Sequence, residues 1–364
     1  MDIVNFVKSK ILKLKRDEKI SYYNLSNNYN KNLVNNLFDL DNNDGINNNI
    51  NSQNKDCFFI DGGLGLLFES NSVYIYAIRV SCVKFIGNKF IKKENHNFKL
   101  VTYLDKNSNG RLRIYNKIFC EEHTQKLFNY DFDLFNDQKL FNIENYDFFD
   151  FNNLKLSGSV ILKLLELIYV QKLSNKNSII VRDGSFEMKN KIDQDIICNF
   201  NINSTIFGIS KNSSFVDQDG NNLSMRLFDL LGEKFNQIKN SNVILSDFFG
   251  YQNILSNNYE CIKVYLVKLN TNSNNFFRID VMSHKEKTND INIALNIIKQ
   301  NSIDNAILGY PYGLILVDQL ARISNRESEF EKISLFYSDK KLKSILEHNS
   351  YNKDFHKILD NLQY

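Results

Sequence analysis

The chain has 364 residues, with 45 basic against 42 acidic side chains, a net charge of +3 and 43% hydrophobic residues. That balance suits a globular protein with a sizeable core and excludes a disordered chain. It also excludes a strongly basic coat, so any contact with nucleic acid has to come from a local groove.

One Pro and no Trp stand beside abundant Asn, Ile, Lys and Phe. A coding sequence drifting toward A and T produces this skew, so runs such as Asn47-Asn48-Asn49 carry no functional weight. The five cysteines (Cys57, Cys82, Cys120, Cys198, Cys261) are scattered without a C-x-x-C pair. That argues against a disulfide framework and against structural zinc, since Cys120 and His123 have metal-like spacing but no partner pair. Met1 to Lys19 is too charged for a secretory segment and no apolar run reaches membrane-spanning length, so a soluble cytoplasmic protein without membrane contact is expected.

Taken in chain order, residues 2–16 have the period of an amphipathic helix within an N-terminal segment 1–25, suited to packing on the core or to docking a partner. Residues 26–55 are Asn- and Asp-rich and read as a flexible linker. Order begins at Cys57-Phe58-Phe59-Ile60, a short strand expected to end at Asp61-Gly62-Gly63. Strands over 72–83 and 84–90 follow, giving an antiparallel meander. Residues 88–155 are polar and read as an insertion or subdomain, with one β stretch at 112–119. A helix is expected over 159–173, with Ser157 and Gly158 as cap candidates. Strands are expected at 178–182, 204–209, 261–269 and 276–281, and helices at 289–300 and 314–323. The main body is 56–336, followed by a helical tail over 337–364. The order of elements is that of an α/β protein with a mixed sheet flanked by helices.

The acidic residues carry the chemistry. Asp61-Gly62-Gly63 and Asp183-Gly184-Ser185 both follow strands, where an Asp presents its carboxylate at the sheet edge and the Gly permits a sharp turn or a close approach. An ordinary Asp-Gly turn is the simpler reading of either alone. Glu166 lies in an apolar helix, where a carboxylate is costly to bury unless paired or metal-bound, and otherwise emerges on a wet stripe with Lys163. Asp318 shares a helical face with Leu314 and Ala321, which places it on the inward face. Gly309-Tyr310-Pro311, with the chain's single proline, opens that helix. Seven of the fourteen glycines lie within five residues of Asp61, Asp183, Lys211, Tyr310 or Asp318. Carboxylates converging on a sheet edge suit Mg²⁺ or Mn²⁺, and two such ions roughly 4 Å apart can activate water and stabilise a leaving oxygen.

These residues, in this order, resemble the NurA nuclease family: Asp61-Gly62, helical Glu166, Asp183-Gly184-Ser185, Lys211 and Gly309-Tyr310-Pro311. The resemblance spans about 57–331 in separated islands. It implies an RNase H-like fold, a homodimer enclosing a DNA channel, and cleavage of DNA with Mn²⁺ or Mg²⁺, with two ions. It also implies single-strand endonuclease and 5′-to-3′ exonuclease activity, in DNA end resection with a HerA-type hexameric ATPase. Carried over, Asp61, Glu166 and Asp183 are the metal ligands, Tyr310 positions substrate or water, and Lys211 and Ser185 contact phosphate. Asp318 stands where the family usually has His, and the interval from Asp61 to Glu166 is longer than usual. Two other readings compete. One is a NurA-like adaptor that has lost chemistry through that change. The other is an actin-like ATPase, against which the absence of an internal repeat argues.

Overall fold

The computed structural model describes residues 37–39, 55–70, 72–106, 108, 110, 112–129, 151–174, 178–186, 191–198, 200, 204–211, 243–245, 262–270, 273, 275, 277–282, 288–303 and 309–337. The expected N-terminal helix and the tail beyond Tyr337 lie outside the described residues, as does the linker except for Leu37–Asp39 and Lys55.

Ten strands form one sheet among these residues: β1 (Leu37–Asp39), β2 (Asp56–Glu69), β3 (Val73–Ile86), β4 (Lys89–Lys106), β5 (Leu112–Cys120), β6 (Ile179–Asp183), β7 (Thr205–Ser210), β8 (Val243–Leu245), β9 (Lys263–Val267) and β10 (Phe277–Met282). Their order across the sheet is β1-β8-β9-β10-β7-β6-β2-β3-β4-β5. The helices are α1 (Glu122–Phe128), α2 (Phe151–Leu173), α3 (Lys191–Cys198), α4 (Thr288–Gln300), α5 (Tyr312–Ala321) and α6 (Asn325–Tyr337). β2, β6 and β7 run parallel, while β3, β4 and β5 form an antiparallel meander on one side of β2. A central strand with an antiparallel meander on one flank and two parallel strands on the other is the RNase H-like arrangement.

The central strands are apolar runs because both of their faces are covered. Phe58, Ile60 and Ile180 join one core with α2 and α3. Cys57, Phe59, Ile179 and Val181 join the other with α4 and α5. Alternation along each strand therefore sorts every residue to one helix layer or the other.

Several expectations are corrected. β2 does not stop at Asp61: it runs on to Glu69, because its pairing with β3 continues through Asp61↔Ser81, Gly62↔Val80 and Gly63↔Arg79. The expected strand over 84–90 is divided, since residues 84–86 finish β3, Gly87 and Asn88 turn the chain, and β4 begins at Lys89. Residues 88–155, read as an insertion or subdomain with one β stretch, hold two strands of the same sheet among the described residues, β4 and β5, and α1 packs on α2 through Phe128 stacked on Tyr169 with ring centroids 5.4 Å apart. The alternation in β4 is real, but two of its inward positions are polar, His96 and Thr102, which hides the pattern. Ser157 and Gly158 are not caps. They lie inside α2, where Gly158 lets the helix rest on the Tyr76 ring and the Tyr76 hydroxyl donates to the carbonyl of Lys155 at 2.9 Å. Leu37–Asp39, within the expected linker, pairs with β8. No described helix is long and apolar enough to cross a membrane.

Candidate metal centre

The parallel register of β2 and β6 creates the site. Cys57 pairs with Ile179 and Ile60 with Arg182, where the pairing of the two strands ends. The next residues, Asp61 and Asp183, therefore lie abreast, and both point to the α4/α5 layer. β6 pairs with β7 as far as Asp183↔Ile209, which carries Lys211 to the same edge. Beyond Asp183 the chain must turn away. Gly184 does so at φ +108°, a conformation that L side chains rarely adopt, and its N–H donates to the carbonyl of Ile209 at 2.8 Å.

α5 supplies the third acid. Its N-terminus is held by Asn301, whose carbonyl accepts from the N–H of Tyr312 at 2.8 Å and whose Oδ1 accepts from Gly313 at 2.7 Å. The helix can lie directly on β2 because Gly63 has no side chain: a Cβ there would strike the Ala321 carbonyl oxygen. Asp61, Asp183 and Asp318 each then offer a carboxylate oxygen within 4.8 Å of the others. Asp318 is not on the inward face as expected. Leu314 and Ala321 are buried, whereas Asp318 is exposed and closes the group from the solvent side.

Lys211 and Tyr310 complete the group. The Lys211 ammonium lies 2.9 Å from Asp183 and 3.9 Å from Asp318, and stands 5.1 Å above the Tyr310 ring. Tyr310 is 5% exposed, with its ring against Phe277 at 5.2 Å. Its hydroxyl faces Asp183 but makes no well-formed hydrogen bond among the described residues. Ser185 is half-buried in the turn and uses its carbonyl as an acceptor for Arg182.

Electrostatics follow from this crowding. Burial, then the charges of Glu166 and Asp183, push Asp61 up to about 8, against a single opposing hydrogen bond from the Gly62 N–H at 2.8 Å. Burial also pushes the Tyr310 hydroxyl up, with Asp183 adding to the effect. For Lys211, burial works against the ammonium, but the hydrogen bond and charge of Asp183 outweigh it and hold the group above its usual range. Three carboxylates in one place, one of them held protonated toward neutral pH, form a donor set for a hard divalent cation.

Glu166 lies on the other side of the sheet. Gly62 and Arg182 alternate toward the α2 layer, and the Glu166 Oε1 occupies the space a Gly62 side chain would fill. Its Oε2 accepts from Arg182 Nε at 2.8 Å and pairs with the second guanidinium nitrogen at 2.6 Å. Burial raises the Glu166 carboxyl, while Arg182 opposes that rise. Of the four acids expected at the site, three meet and Glu166 stands behind them across the Gly62 backbone.

Arg182 is the residue the sequence reading passed over. Its signal was present: an arginine at the end of the apolar strand Ser178-Ile179-Ile180-Val181 needs a buried carboxylate, and Glu166 is the unpaired one nearby in sequence. Removing either partner would leave an uncompensated charge at a cost of about 3–5 kcal/mol.

No protein-family model matches the sequence, and no curated protein matches it significantly. Among solved structures, Endonuclease V of Ciona intestinalis, in complex with a 24mer DNA containing an inosine followed by a ribo-adenosine, is 12% identical with a TM-score of 0.33, over 84% of this chain and 96% of that one. The catalytic domain of human Endonuclease V is 11% identical with a TM-score of 0.30, over 90% and 98%. Argonaute of Marinitoga piezophila, with guide RNA and target DNA, is 11% identical with a TM-score of 0.26, over 74% of this chain and 30% of that one. At such distances the superpositions are loose, and the RNase H-like fold of this chain rests on its own strand order and register.

Proposed function

We propose that this protein is a metal-dependent DNA nuclease, with Asp61, Asp183 and Asp318 holding Mn²⁺ or Mg²⁺. The observation that carries the reading is the convergence of these carboxylates, from β2, β6 and α5, within 4.8 Å beside the buried Tyr310 hydroxyl. A divalent cation at such a site supplies Lewis acidity, activating water and neutralising charge on a phosphodiester. The residues of the chain do the rest. Asp61 would give up its proton when a cation binds, Tyr310 would orient water or substrate through the hydroxyl it turns toward Asp183, and Lys211, released from Asp183, would meet phosphate. Ser185 presents the turn to the same phosphate. Glu166, held by Arg182 behind the Gly62 backbone, adds negative charge to the site from the other layer.

The resemblance to the NurA family extends the proposal. It suggests a cytoplasmic homodimer built around the 56–336 body, with single-strand endonuclease and 5′-to-3′ exonuclease activity. It also suggests a HerA-type ATPase as partner in DNA end resection. The test is incubation of the purified full chain with end-labelled single-stranded DNA and Mn²⁺. Cleavage that disappears in Asp183→Asn supports the nuclease. A protein that neither binds Mn²⁺ by calorimetry nor cleaves, with or without the ATPase, refutes it. Mn²⁺-independent ATPase docking without cleavage would favour the adaptor, a reading that the Lys211 ion pair within the acid site supports.

A further inference from the structure

Arg182 makes three contacts that no other side chain could replace together. Nε and one terminal nitrogen hold Glu166 Oε2 at 2.8 and 2.6 Å, while the other terminal nitrogen donates to the carbonyl of Ser185 at 2.9 Å. One buried guanidinium, 6% exposed, therefore links α2, the end of β6 and the turn that follows Asp183. The turn wraps around it: a side chain on Gly184 would come 3.0 Å from the same terminal nitrogen that reaches Ser185. Arg182 immediately precedes Asp183 on the strand and points to the opposite layer, so it is shielded from anything bound at the acids. Its planar fork suits this double task, which a lysine ammonium could fill only in part.

We propose that Arg182 is a positioning residue for the metal centre: by pinning the 183–185 turn and keeping Glu166 behind Gly62, it sets the spacing of Asp183 against Asp61 and Asp318. The inference rests on the reading of these acids as a cation site. A purely structural ion pair would also bury Arg182 with Glu166, but it would give Ser185 no part in metal binding.

Four full-length variants separate the two. Mn²⁺ affinity is measured by calorimetry, on protein without DNA, for Arg182→Lys, Arg182→Met, Glu166→Gln and the double variant Glu166→Gln/Arg182→Met. The double variant removes the pair without stranding a buried charge, so it keeps the comparison open if Arg182→Met fails to fold. Arg182→Lys is expected to weaken Mn²⁺ binding about tenfold or more, with KM for single-stranded DNA unchanged and kcat reduced. The double variant is expected to bind Mn²⁺ about tenfold more weakly than Glu166→Gln alone, because the Ser185 carbonyl has lost its donor. Equal affinity of the double variant and Glu166→Gln, or wild-type affinity of Arg182→Lys, overturns the proposal. Mn²⁺ binding without cleavage by the wild type would sink the nuclease reading and leave the titrations to judge Arg182. A wild type that binds no Mn²⁺ ends both.

Discussion

Asp61 carries the sharpest consequence of the site. Its folded-state carboxyl stands at about 8, against 3.8 for the free group. Between these values the folded state holds a proton that the unfolded chain has released, so this residue's contribution to stability is full below pH 4 and is lost as pH rises through about 8. Thermal melts of the metal-free protein should therefore fall across that window, and Asp61→Asn should flatten the fall. Mn²⁺ competes with the same proton, so the rise in Tm on adding Mn²⁺ should be larger at pH 8.5 than at pH 6. A metal-induced shift independent of pH would contradict the assignment of Asp61 as a ligand. Lys211 supplies the opposite lever. Its ammonium already neutralises Asp183, so Lys211→Gln should tighten Mn²⁺ binding measured by calorimetry while raising KM for DNA; weaker Mn²⁺ binding would show that the lysine supports the acids and does not compete for them. Asp61, Asp183, Lys211 and Tyr310 were all legible as residue types beside glycines. The exposure of Asp318 was not, because helical spacing says which residues share a face but not where the rim of the cleft falls.

At the scale of elements, α5 on β2 decides the geometry. The helix brings Asp318 over Asp61 only because its backbone can touch the strand at Gly63, and the obstacle to any side chain there is a carbonyl that cannot rotate away. Gly63→Ala should cost about 1–3 kcal/mol in urea denaturation, the range for overpacking, and should weaken Mn²⁺ binding in parallel. Loss of stability with unchanged Mn²⁺ affinity would mean that α5 shifts without carrying Asp318 with it. Most elements could be read from period and composition, including β3, β6, β7, β10 and α4. The ones misjudged share a cause. β2 continues past Asp-Gly-Gly because β3 pairs along its whole length, and β4 hides its alternation behind inward His96 and Thr102. Pairing partners and buried polar positions are tertiary facts that local pattern cannot supply.

For the whole molecule, the three acids proposed as ligands lie at positions 61, 183 and 318, so a cation bound there would cross-link segments that span most of the described chain. Binding to the folded state alone at one hundred times Kd adds about 2.7 kcal/mol of stability. That stabilisation should be uneven. Hydrogen exchange with saturating Mn²⁺ should slow in β2, β6 and α5, and change little in β4 and β5 at the far edge of the meander; uniform slowing across the sheet would mean that the cation binds elsewhere or acts only through global unfolding. What the sequence determined alone was the inventory: an α/β order of elements, two strand-associated Asp-Gly pairs, one glutamate in an apolar helix and a glycine-bounded helix start. Those are local properties, written in period, composition and the constraints on single residues. What only the tertiary structure decided was who meets whom. The parallel register set Asp61 beside Asp183, alternation turned Arg182 to claim Glu166 on the other layer, and the close seat of α5 brought an exposed Asp318 into the group, because carboxylates are joined through space by strand register and helix packing and not by their distance along the chain.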